Sequence, residues 1–335
     1  MIKRKIFPEF PLRVTGSLLS PAGKNARLSI LLYHRVLSVP DPLFPAEVDA
    51  ARFDAQMQLL AGIFNILPLT EAVEGLKSGS LPARAACITF DDGYADNVEI
   101  ALPILKKHHI PATFFIATGY LDGGMMFNDC IIESIRMAQG NSIELTMLEL
   151  EKFPLNTINQ RREVIDIILA RLKHLPPEKR KNMVEAISDL TSVELPKDLM
   201  MRSEQVRLLS DSGMEIGGHT VYHPILASID RQTAKNEIMN GKAYLESLTG
   251  KQIRTFAYPN GQPQTDYHAA HVKIVKELGF DAAVSTSWGV ATQGGDLFQL
   301  PRFTPWDVSI TRFALRMLGN LSRTNPVTVL IDSRR

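Results

Sequence analysis

Short apolar runs recur along the chain and alternate with longer stretches whose apolar positions repeat at helical spacing. The runs are Leu28–Tyr33, Asn65–Leu69, Ala85–Phe90, Ala112–Thr118, Met214–Gly218, Thr255–Tyr258, Ala282–Thr286 and Leu300–Phe303. Between them, Ala51–Ala61, Ala95–His108, Ser203–Ser212, Arg231–Leu248 and Asp266–Leu278 read as amphipathic helices. Strands alternating with helices of this length predict βα units around a parallel sheet. Several runs are almost wholly apolar, as expected of strands covered on both faces. Gly213 and Gly279 stand where a helix C-cap is expected.

One region breaks this rhythm. Residues 122–203 carry little strand signal and three helical patterns, Phe127–Ala138, Arg161–Lys173 and Pro177–Leu190. They read as a helical insertion. Without them, residues 28–121 and 204–321 have about the length of one αβ barrel. A basic arm, residues 1–27, precedes the barrel, and a tail, residues 322–335, follows it.

Composition narrows the class. The 335 residues carry 37 Lys+Arg against 36 Asp+Glu, and 45 % are hydrophobic. This is the balance of a soluble globular protein. Near-neutral charge argues against nucleic acid as a main partner, since phosphate binding needs a clustered basic surface. No apolar stretch reaches the roughly 18 residues of a membrane span. The first 30 residues sum to +5, but Pro8, Pro11 and Gly16 interrupt them, which is too weak for a signal peptide. The expectation is a cytoplasmic protein whose arm either rests on anionic lipid or is a solvated tail. Cys87 and Cys130 make neither a disulfide framework nor a CxxC zinc site.

Four rim segments carry candidate chemistry. In Ile88-Thr89-Phe90-Asp91-Asp92-Gly93, an apolar strand ends in two carboxylates. Carboxylates that close repel, so one needs a cation or a raised pKa; a metal bound by one would leave the other as a base. The alternative is an N-cap for the following helix. In Gly217-Gly218-His219-Thr220-Val221-Tyr222-His223-Pro224, two histidines at i and i+4 can meet one ion or serve structure. Phe256-Ala257-Tyr258-Pro259-Asn260-Gly261 is a strand followed by a turn. Leu32-Tyr33-His34-Arg35 places a histidine at the end of the first strand, as a proton donor or a satisfied core residue.

Together, in this order, these segments resemble the polysaccharide deacetylases of the NodB-homology type, carbohydrate esterase family 4. Thr89-Phe90-Asp91-Asp92-Gly93 and His219-Thr220-x-x-His223 match that family's first two motifs, and Phe256–Gly261 looks like a variant of the third. The resemblance covers roughly residues 28–121 and 204–305. It implies Asp91 as catalytic base and Asp92, His219 and His223 as ligands of a divalent metal, usually zinc. It also implies a backbone N–H near Asn260 for the oxyanion. The chain departs from the family pattern at three places. The third motif has Ala257 where an Arg braces the base, and Arg302 is the candidate replacement. Ser287 precedes Trp288 where an Asp is usual. The Leu-x-His that supplies the acid is missing, since no histidine follows His271. A Tyr-His-Arg-Val segment is similar to that of exopolysaccharide deacetylases in a permuted arrangement, which makes His34 the candidate acid. Tyr258, Trp288 and Trp306 are candidates for stacking on sugar rings, with core packing as the alternative.

The expected fold is α/β: a distorted, incompletely closed (β/α) barrel of about seven strands with a helical insertion. The expected function is metal-dependent removal of N-acetyl groups from amino sugars of a bacterial polysaccharide or glycan precursor. The competing readings are a catalytically silent saccharide-binding protein and a hydrolase of small amides. The insertion leaves the active-site rim and is read as a lid or as a packing surface.

Overall fold

A computed structural model describes residues 9–146, 149–173 and 175–330. Its strands are β1 (Arg27–Tyr33), β2 (Asn65–Ile66), β3 (Ala85–Phe90), β4 (Thr113–Ile116), β5 (Ser142–Glu144), β6 (Lys152–Pro154), β7 (Glu215–Gly218), β8 (Thr255–Ala257), β9 (Ala282–Val284) and β10 (Ala291–Thr292). Its α-helices are α1 (Glu9–Leu19), α2 (Ala50–Ile63), α3 (Leu69–Ser78), α4 (Leu102–Lys107), α5 (Phe127–Met137), α6 (Ile158–Leu172), α7 (Pro177–Thr191), α8 (Ser203–Asp211), α9 (Arg231–Thr249), α10 (Ala269–Glu277) and α11 (Ile310–Asn320).

The main sheet runs β10-β1-β3-β4-β7-β8-β9, with β2 added on β3. All its pairings are parallel except β10 on β1. The sheet curls, and residues 300–303 bridge its two ends. Leu300 pairs with Val284 and Phe303 with Leu31. Pro301 has no N–H to give a ladder, so this run closes the seam through single bridges rather than a regular strand. The distorted barrel expected from the sequence is the fold observed.

Alternation along the strands sorts residues into an inner and an outer layer. Leu28, Ile30, Ala85, Cys87, Phe115, Ala282 and Val284 share one buried cluster with Leu69, Ala72, Val73 and Leu76 of α3. Leu31, Tyr33, Ile88, Phe90, Phe114, Ile116 and Phe256 join the other, against the surrounding helices. Within the rings, Phe90 stacks on Phe114 at 4.7 Å between centroids. Glu215 at the start of β7 accepts the N–H of Leu69 and caps α3.

The elements differ from expectation in five places. The run Asn65–Leu69 stops as strand at Ile66 and turns into α3, which the apolar pattern did not mark. Ala95–His108 divides into a π-helical turn, Asn97–Ala101, and α4. The cause is that Asp96 and Asn97 are drawn to the backbone of β1's end, Asn97 donating to His34 O at 2.8 Å. Helices α1 and α11 were not foreseen. The region 122–203 contains the hairpin β5–β6 besides its three helices.

Residues 127–187 pack around a cluster of their own, including Ile131, Ile135, Ile165, Ile168 and Ile187, joined by Leu43. At the N-terminus, α1 lies against α2 and α11. Lys3, Arg4 and Lys5 lie outside the described residues, and the lipid contact expected of the arm finds no support. Among the described residues no helix is long and apolar enough to cross a membrane. Cys87 is buried, and burial pushes its thiol well above the usual range; the half-buried Cys130 is pushed up to about 11 by the same cause.

Candidate functional site

The carboxyl-terminal rim of the parallel strands collects Asp91 and Asp92 after β3, His219 and His223 after β7, and Asn260 after β8. Asp91 continues the inward row of Cys87 and Thr89. Strict alternation would turn Asp92 away. A left-handed backbone at Asp92 (φ 78°) instead brings both carboxylates to one side. Thr220 (φ 65°), His223 (φ 50°) and Asn260 (φ 56°) adopt the same region. Non-glycine residues persist there only where the surroundings hold them. The loop after β7 is so held: Glu237 of α9 accepts the N–H groups of Val221 and Tyr222 at 3.0 and 2.8 Å. Gly241 lets α9 come this close, since a Cβ there would meet Thr220 O at 2.8 Å.

Asp92, His219 and His223 each direct one donor atom at a common point, all within 4.8 Å of one another. His219 Nδ1 lies 2.8 Å from Ala257 O, to which it donates in its neutral form. That leaves Nε2 as a lone pair, 3.3 Å from Asp92 Oδ1. His223 Nε2 lies 3.5 Å from the same oxygen. Asp92 Oδ1 is buried and has no hydrogen-bond partner. Lone pairs facing one another in a buried site need a cation between them. Two imidazoles and a carboxylate, with the second nitrogen of one histidine fixed by a carbonyl, suit a divalent metal. Without one, burial works against charge on His219, yet the adjacent carboxylates of Asp92 and Asp91 outweigh it and raise its pKa. Burial lowers His223 to about 4, with Asp92 opposing.

Asp91 has a different environment. Arg302 grips it as a fork, Nη1 to Oδ1 and Nη2 to Oδ2, both at 2.7 Å. Arg302 itself sits inside the barrel, donating to Ser285 O and Thr89 Oγ1. Burial alone would raise the Asp91 pKa; Arg302 and His219 more than offset this, so the carboxylate is held below its usual range.

A cavity of about 460 Å³ opens over these groups, lined by His34, Asp91, Asp92, His219, His223 and Asn260. His34, exposed at the end of β1, bears on Asp91 and Asp92 closely enough to help lower both. The Asn260 backbone N–H donates to no group among the described residues. Residues 127–180 form the facing wall, through Phe127, Asp129, Arg136, Lys173 and Arg180. Asp129 accepts from Tyr94 Oη at 3.1 and 3.2 Å, and burial beside Asp92 pushes it up to about 7. The sequence offered no sign of Asp129, Lys173 or Arg180, which look like ordinary members of amphipathic helices.

Two candidate substrate contacts are corrected. Tyr258 is fully buried, stacked on Tyr267 at 3.9 Å, with its hydroxyl on Phe298 O. Aromatic stacking and that hydrogen bond draw it into the core. Trp288 pairs with Trp306 at 5.0 Å, beneath the guanidinium groups of Arg316 and Arg323, and lines a separate groove. Cation–π contacts hold both rings away from the cavity.

The model of the polysaccharide deacetylase family matches residues 78–283. The chain belongs to that family. It is a deacetylase, a hydrolase of non-peptide C–N bonds. YxkH of Bacillus subtilis is 23 % identical over 281 residues, covering 83 % of this chain and 71 % of that one. The poly-β-1,6-N-acetyl-D-glucosamine N-deacetylase of Staphylococcus epidermidis is 34 % identical over 111 residues, which span 29 % of this chain and 38 % of that protein. Among solved structures, the deacetylase PplD of Streptococcus pyogenes, in complex with acetate, superposes with a TM-score of 0.61 at 21 % identity. That match covers 88 % of this chain and 98 % of PplD. IcaB of Ammonifex degensii gives 0.57 at 19 % identity, over 90 % and 99 %. The polysaccharide deacetylase fold and enzyme class expected from the motifs are those found.

Proposed function

We propose that this deacetylase is metal-dependent and removes N-acetyl groups from amino sugars of an exopolysaccharide or surface glycan. The convergence of Asp92, His219 and His223 beside an ionised, buried Asp91 carries this reading. The local likeness to the poly-β-1,6-N-acetyl-D-glucosamine deacetylase supports the choice of substrate class.

Asp92, His219 and His223 would hold the cation, and a mixed nitrogen and oxygen set favours zinc. A divalent ion there supplies Lewis acidity, polarising the acetyl carbonyl and lowering the pKa of water. Asp91 takes the proton of the water that adds to the acetamide carbon. Arg302 keeps Asp91 ionised and fixes its direction. The Asn260 N–H donates to the oxygen on which negative charge develops. His34 gives a proton to the departing nitrogen as the C–N bond breaks, which yields acetate and a free amine.

Acetate release from N-acetylglucosamine oligomers tests the reading. Release should vanish with a chelator, return with zinc and be lost in Asp91→Asn. Release that survives complete metal removal would overturn the metal dependence.

A further inference from the structure

The cavity wall formed by residues 127–180 carries three cations, Arg136, Lys173 and Arg180, among apolar Phe127, Ile132 and Leu169. They are not equivalent. Arg136 is neutralised by Asp41 at 2.7 Å and Glu133 at 3.1 Å. Across the cavity, Arg35 is neutralised by Asp96 at 2.8 Å. Asp91 is already matched by Arg302. Among the described residues, neither Lys173 nor Arg180 has a carboxylate partner.

Arg180 is also held in place. Its guanidinium lies over the Phe127 ring, 4.5 Å from the centroid. Its Nη1 donates to Lys173 O at 3.2 Å, the one side-chain hydrogen bond Arg180 makes among the described residues, which keeps the two cationic residues together. The remaining guanidinium N–H groups are unused. A half-buried cation without a counter-charge loses hydration and gains nothing in return. Consistent with this, burial pushes its pKa below the usual arginine value. Arg180, with the exposed Lys173 beside it, lines the cavity that holds Asp91 and Asp92 and makes a place for an anion on the substrate itself.

We propose that Lys173 and Arg180 form an anion subsite, and that the natural substrate is an N-acetylated sugar bearing a phosphate or carboxylate near the acetamide. This rests on the deacetylase reading and narrows its substrate. A neutral N-acetylglucosamine polymer would leave both cations unpaired.

The test compares zinc-loaded full-length protein on three substrates: neutral N-acetylglucosamine oligomers, a nucleoside-diphosphate N-acetylglucosamine, and oligomers with alternating uronic acid. A charged substrate should be preferred about tenfold or more in kcat/KM, the worth of one charge-assisted hydrogen bond. The preference should shrink as salt rises. Arg180→Gln and Lys173→Gln should raise KM for the charged substrate by about the same factor and leave the neutral one unchanged. Arg180→Lys should retain part of the preference. Which charged substrate wins tells phosphate from carboxylate, and either supports the subsite. Equal turnover of neutral and charged substrates, or variants that slow both alike, would overturn it. Pyrophosphate binding by calorimetry gives a readout apart from turnover. Binding to wild type that is weakened in Arg180→Gln supports the subsite even if no substrate releases acetate, a result that would count against the deacetylase reading alone. Binding identical in wild type and variant would overturn the subsite.

Discussion

Replacing Arg302 with glutamine leaves Asp91 buried without its cation. Arg302 is 1 % exposed and Asp91 3 %, so water cannot take over the two 2.7 Å bonds. Removing one half of a buried ion pair costs about 3–5 kcal/mol, because the other charge is stranded. Set against a total stability of about 5–15 kcal/mol, this is a large fraction. The cost should depend on pH with a definite sign. In the wild type the Asp91 pKa is lowered, so its stabilisation is complete above the unfolded value of about 4 and is lost as pH falls through the folded value. In Arg302→Gln the largest opposition to burial is gone and only His219 and His34 remain, so that pKa rises and the variant gains less stability, or loses it, as pH rises. The gap between the two proteins should therefore widen from about pH 4 to pH 8. Urea denaturation of chelated protein across that range, with Asp91→Asn and the double variant, measures it. The double variant should lose less than the sum of the singles by about 1 kcal/mol or more. An additive cycle, or a gap indifferent to pH, would refute the charge-pair account. In the holoenzyme, the acid limb of acetate release should move to higher pH in Arg302→Gln.

Three further outcomes follow from the geometry. Asp129 is held near 7 in the fold, so wild-type stability should fall as pH rises from about 4 to 7; Asp129→Asn, which keeps the Tyr94 contact, should remove this slope and be a few kcal/mol more stable above pH 7, as thermal unfolding at several pH values will show. His34→Ala should retain stoichiometric zinc by elemental analysis yet lose about 10²–10⁴ in kcat; near-normal turnover would remove His34 from the acid role. At Gly217 a Cβ would fall on the Phe115 ring, so Gly217→Ala should cost about 1–3 kcal/mol by chemical denaturation, with a site that still binds zinc when refolded.

Much of this protein is legible along its chain because the relevant rules are local. A strand covered on both faces must be apolar, so β1, β3 and β4 stand out in the sequence. A strand end that carries chemistry must break into polar residues and turns, which is why Asp91-Asp92-Gly93 and His219-x-x-x-His223 can be picked out at once. Their order along the chain was enough to suggest the family. The tertiary structure decided what depends on distant residues meeting. Arg302 lies 211 positions from Asp91; the missing arginine of the third motif made it a candidate, but the fork itself exists only because the barrel brings the two together. Tyr258 and Trp288 have the side chains a sugar site wants, but Tyr267 and Arg316 stand closer and claim them. Helix α3 escaped notice because its apolar face is short and buried beneath the barrel. Lys173 and Arg180 carry no motif, since a cation on a helix looks the same whether it faces water or a cavity. Only the closure of the insertion over the rim distinguishes the two. Local alternation and turn chemistry are written residue by residue, whereas the pairing of charges across a cavity is set by the packing of elements far apart in the chain.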